Sequence, residues 1–124
     1  MVYMHKETYD LYPSPCFNGV DDADLFIEIE DAVSFAVSVL NKKGYKTAMS
    51  CSGHPFNDTG IWISFELEYN IFGNLPDGFY LYRKHPHDDV VFLRYKIKSN
   101  INSVCVLQEL ATANIGLYKW ALEL

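Results

Sequence analysis

The spacing of apolar and polar residues changes period several times along this chain, and each change marks an element. After Glu30 and Asp31, Ala32, Val33, Ala36, Val37 and Leu40 recur at helical spacing. The two acids suit the positive end of a helix dipole, so a helix starts near Asp31. Lys42 and Lys43 fall in its last turn, and Gly44 accepts the left-handed conformation that ends it. Just upstream, "LFIEIE" alternates apolar and acidic positions and reads as a short strand, with Phe26 or Ile27 and Ile29 packed.

Beyond the helix the period falls to two. "YKTAMSC" and "IWISFELEY" are rich in Tyr, Thr, Ile, Trp and Phe and read as strands, the second alternating through Trp62, Ser64 and Glu66. "GFYLYRK" and "VVFLRYKIK" follow, joined by "HPHDD" as a hairpin, with "NLPDG" before them as a turn. From Ser103 to Leu122 the helical period returns in Val104, Leu107, Ala111, Ile115, Tyr118 and Leu122. Asn114 and Gly116 weaken that helix locally and predict a bend. Trp120 and Leu124 lie beyond this main stripe and give the helix a second apolar side, of the kind that docks a partner subunit, so a homodimer is expected.

The order is short strand, helix, four strands, helix. It predicts an α+β fold: a two-layer sandwich with a mixed, mostly antiparallel sheet and two helices on one face. The first strand–helix–strand unit should cross over right-handed into a parallel pair. Residues 1–24, with "YPSPCFNGVDDAD", show no period and read as an irregular arm on a single domain, 1–124.

Composition narrows the setting. Apolar residues make up 49% of the chain, enough for a packed core and against wholesale disorder. No apolar run reaches the roughly 20 residues of a membrane span, and the first residues lack a secretory pattern, so a soluble cytoplasmic protein is expected. Cys16, Cys51 and Cys105 are odd in number and widely spaced, which fits a reducing compartment. The net charge of −6 argues against duplex or tRNA binding. Basic residues nevertheless gather at Arg83, Lys84, Arg94, Lys96 and Lys98, flanked by His85 and His87.

Candidate chemistry centres on "SCSGH", Ser50 to His54, where one strand ends. Gly53 lets backbone N–H groups converge on an anion, Ser50 and Ser52 add hydroxyls, and His54 adds a donor. Arg83 and Arg94, set among strand aromatics, suit a phosphate beside a stacked ring. These seven residues form the expected site of a small anionic or nucleotide-like ligand, with the bland alternative of an ordinary turn. Cys51 with His54 also has the makings of an activated thiol. Cys51, His54, His85 and His87 lack clean four-ligand spacing, so no metal is assigned. Catalytic residues and cofactor stay unassigned.

The stretch "LNKKGYKTAMSCSGH…GIWISF" resembles small uncharacterised phage and prophage proteins that carry "GYxTxxSCSGH". That likeness implies a phage-type protein, for which capture of a host signalling nucleotide is one use. "SCSG" after a strand also looks like the motif of the tRNA wybutosine-synthesising methylase family. This second likeness implies S-adenosylmethionine and a modified tRNA base, with Ser50, Cys51, Ser52 and Gly53 at the matched positions. His54 stands where that family usually has Arg. A protein–protein interaction module, using the aromatic strand face or the second helix, is the third reading.

Overall fold

The structure, a computed structural model, describes residues 1–7, 9–13, 25–55, 59–66, 73–99 and 102–124. The chain folds as α+β, with two helices packed together and two antiparallel sheets. Strands β1 (Val2–His5), β2 (Leu11–Pro13) and β3 (Phe26–Ile29) form the smaller sheet in the order β2-β1-β3. Helix α1 (Asp31–Lys42) then leads to the second sheet, β4 (Thr47–Cys51), β5 (Trp62–Phe65), β6 (Phe79–Tyr82) and β7 (Val91–Tyr95), ordered β4-β5-β7-β6. Helix α2 (Ser103–Glu123) closes the chain.

Two expectations change here. The strands flanking α1 do not make a parallel pair: β3 pairs with β1 and β4 with β5, both antiparallel. The reason lies in Val2–His5 and Leu11–Pro13, read as irregular, which pair as antiparallel strands, with Met4 opposite Leu11 on one side and Ile27 of β3 on the other. That pairing satisfies the β3 backbone, leaving α1 to cross between sheets. The remainder of the expected arm, 14–24, lies outside the described residues.

One core joins both sheets and both helices. Val33, Val37 and Leu40 of α1 meet Ile63, Phe65 and Leu93 of the four-stranded sheet and Leu110 and Leu117 of α2. Helix α2 is continuous through Asn114 and Gly116, and the face it buries is Val106, Leu110, Ala113, Leu117, Trp120 and Ala121. The stripe that the sequence pattern favours, Val104 to Leu122, is the outer one. Trp120, expected on the docking side, is buried and donates its indole N–H to Asn74 O at 2.6 Å.

Polar ties fix the helices at their ends. Lys43 Nζ, just past α1, donates to the carbonyls of Ala121, Leu122 and Leu124, neutralising the negative end of α2. Glu109 accepts from Tyr95 Oη, Lys98 N–H and Ser99 N–H, each at 2.7 Å. Burial pushes its carboxyl up, but these donors more than offset that and hold it at about 2. Burial, with the Glu109 charge added, pushes Tyr95 up to about 12. Among the described residues no helix is long and apolar enough to cross a membrane.

Candidate functional site

The chain leaving β4 folds back onto the start of α1. It can do so because Gly53 adopts φ +90°, where an added Cβ would also stand 2.7 Å from Leu110 Cδ2. Ser52 Oγ accepts from Val33 N–H at 2.9 Å. Glu30 holds the N-cap position of α1 yet makes no side-chain cap bond there. The hydroxyl that caps the first turn therefore comes from a loop 19 residues away. Replacing a capping hydroxyl typically costs about 1 kcal/mol, so Ser52→Ala is expected to lower the unfolding free energy by that amount in urea titration.

With the cap supplied elsewhere, the Glu30 carboxylate is free to turn toward the loop. Its Oε2 accepts from Ser52 N–H at 3.2 Å, and its Oε1 lies 3.3 Å from His54 Nε2. This arrangement changes the expected anion cradle. The amide of Ser52 goes to Glu30, that of Gly53 to Cys51 Sγ at 3.4 Å, and that of His54 to Thr59 O at 2.8 Å. The three N–H groups are engaged within the chain, and a carboxylate stands beside them, so they do not converge on an external anion.

What the loop assembles instead is a cluster of unlike donors. Glu30, Cys51 and His54 each bring one metal-ligating atom, and these atoms lie within 4.8 Å of one another. Cys51 is 6% exposed at the end of β4, whereas His54 stands exposed at the rim. His54 is held by a two-way backbone bridge with Thr59. Burial pushes the Cys51 thiol up, and the charge and hydrogen bond of Glu30 add to that against the opposing Gly53 N–H. A nucleophilic cysteine needs the reverse shift, so the activated-thiol reading finds no support in this environment.

The other expected residues sit apart from the cluster. Ser50 pairs with Ile63 inside β4–β5. Register places Cys51 opposite Trp62, Trp62 opposite Arg94, and Arg94 opposite Tyr80, so Arg94 shares the Cys51 row two strands away. Its guanidinium lies 4.9 Å from the Tyr82 ring centroid, and with Lys96 and Tyr80 it borders a shallow hollow of about 280 Å³. Trp62 and Phe92 meet edge to face beside it, 5.8 Å between centroids. Arg83 donates to Asp88 O at 2.9 Å and braces the β6–β7 connection. That connection joins the Tyr82 and Val91 ends, the opposite end of the sheet from Cys51, and carries His85 and His87 away from the cluster.

Glu30 is the functional candidate that the sequence did not offer. It is 21 residues before Cys51, and its only local signal is an acid at a helix start, which the dipole alone explains. Comparison with protein-family models, with curated proteins and with solved structures finds no match.

Proposed function

We propose that Glu30, Cys51 and His54 bind a zinc-class divalent ion, whose open fourth position takes one donor atom of a small anionic ligand. The observation that carries this reading is the meeting of a carboxylate, a thiol and an imidazole within 4.8 Å at a half-open rim. Zinc bonds of about 2.0 to 2.3 Å at tetrahedral angles put ligand atoms roughly 3.3 to 3.7 Å apart. The Glu30–His54 separation of 3.3 Å already matches that spacing. Mixed sulfur, nitrogen and oxygen donors favour zinc over magnesium or calcium, which take oxygen alone.

The metal also resolves the local electrostatics. Burial, with the Glu30 carboxylate beside it, keeps the Cys51 thiol protonated, whereas a coordinated thiol loses its proton outright. Three protein ligands leave a position for water or for a phosphate or carboxylate oxygen, which keeps the anionic ligand at the SCSGH loop by a route other than its amides. A reduced thiol ligand suits the cytoplasm. Phage origin and a nucleotide-like ligand remain part of this reading on the strength of the sequence motif.

Cobalt(II) titration tests it. Thiolate-to-cobalt charge transfer in the near ultraviolet is expected in the wild type, absent in Cys51→Ser, and weakened at least about tenfold in affinity in His54→Ala and Glu30→Gln. A charge-transfer band that survives in Cys51→Ser sinks the assignment.

A further inference from the structure

An apolar strip runs along the outer side of α2 beside the exposed Gln108, Thr112 and Lys119, and apart from Tyr118, which is half-buried against the core, its side chains are largely exposed. Val104, Leu107, Ile115 and Leu122 are between 49% and 65% exposed, and Ala111 is exposed between them. Phe35 of α1, 55% exposed, stands edge to face with Tyr118 at 5.9 Å and extends the strip sideways. Between the helices a hollow of about 250 Å³ is lined by Ala32, Phe35, Ala111, Ile115 and Tyr118 with Asn114. The charged residues of α2 are Glu109, Lys119 and Glu123, and none falls within the strip.

Two features say what covers this face. The first is area. The strip exposes on the order of 600 Å² of apolar side chain, at the upper limit for the largest patch of an ordinary monomer. A stable interface takes about 800 Å² from each partner, close to a tenth of this chain's 7760 Å². The strip supplies most of that, and its polar margins supply the rest.

The second feature is symmetry. The positions 104, 107, 111, 115, 118 and 122 read almost the same in both directions about the level of residue 113. In an antiparallel pair of α2 helices related by a two-fold axis there, Val104 meets Leu122, Leu107 meets Tyr118, and the small Ala111 meets Ile115. A self-complementary patch is what a two-fold homodimer requires. The strip also recurs with an 11-residue period, Val104 to Ile115, Leu107 to Tyr118 and Ala111 to Leu122, so it runs straight along the helix without drifting out of contact.

We infer that the chain forms a two-fold homodimer through the outer faces of its α2 helices, with Phe35 flanking the contact. None of Glu30, Cys51 and His54 lies in the strip, but the hollow beside it adjoins their loop, because Asn114 donates to Ser52 O at 3.2 Å.

Sedimentation of the full chain from low to high micromolar concentration tests this. The expected mass is twice the 14.2 kDa of one chain. Ile115→Glu, and separately Leu107→Glu, should weaken association at least about tenfold with unchanged far-ultraviolet circular dichroism, because both side chains are already exposed. Tyr80→Glu, on the aromatic face of the sheet, should leave the dimer intact. A wild type that stays monomeric throughout overturns the inference, and so does a dimer that survives both glutamates or yields to Tyr80→Glu instead.

Discussion

Gly60→Ala is expected to destabilise the fold by about 3 kcal/mol or more, the largest effect of any glycine-to-alanine change among the described residues. An ideal Cβ at residue 60 would stand 1.7 Å from Tyr95 O and 2.9 Å from Tyr95 C. Both atoms are backbone, so no rotamer change relieves the overlap, and the end of β7 must move. That end cannot move cheaply, because Tyr95 N–H donates to Ile61 O at 2.8 Å and Tyr95 Oη is tied to Glu109. Gly60 has no positive φ, so the cost is close approach alone. Two other glycines serve as controls. Gly44→Ala meets no atom within 4 Å but keeps φ +93°, for a cost of about 1 kcal/mol. Gly116→Ala, exposed within α2 with no neighbour within 4 Å, should stabilise by up to about 1 kcal/mol. Urea midpoints ranked Gly60→Ala, Gly44→Ala, wild type, Gly116→Ala from lowest to highest bear this out; a Gly60→Ala midpoint at or above that of Gly44→Ala refutes it.

The α1 stripe was legible in four of its five positions: Val33, Ala36, Val37 and Leu40 are in the core, whereas Ala32 is exposed beside Phe35 on the outer side. The β6–β7 hairpin was legible because its turn residues and strand residues agree. Helix α2 misled because it is apolar on two sides. Hydrophobicity cannot choose between Val104–Leu107–Ile115 and Val106–Leu110–Leu117; tertiary packing does, burying Leu110, Leu117 and Trp120 in the core. The N-terminal strand pair was missed because strands of four and three residues are too short for alternation to register beside the prolines at 13 and 15.

The candidate site was half legible for a similar reason. Gly53 and the residues around it stand out by type, and the turn they make is real. What those atoms bond to depends on Glu30, which the fold brings from the far side of α1. An anion cradle and a metal site use the same letters, "SCSGH". The difference is one carboxylate that takes the Ser52 amide and stands against His54.

That carboxylate makes the largest ligand effect a matter of linkage. Zinc at about a thousand times its dissociation constant should raise the unfolding free energy by about 4 kcal/mol, which for a domain of this size moves Tm by roughly 15 °C. The gain follows from binding to the folded chain, since Glu30 lies 21 residues before Cys51 and joins Cys51 and His54 only after α1 and β4 have packed. Unfolded thiols and imidazoles also hold zinc weakly and trim the shift. Cys51→Ser should reduce it to a few degrees, whatever that variant does to the metal-free Tm, while Cys105→Ser, at the start of α2, should leave it whole. The comparison is between shifts with and without metal, so a general loss of stability in either variant cancels. Equal zinc shifts in wild type and Cys51→Ser would mean that the ion binds elsewhere, and the three-residue site would then have no claim on it.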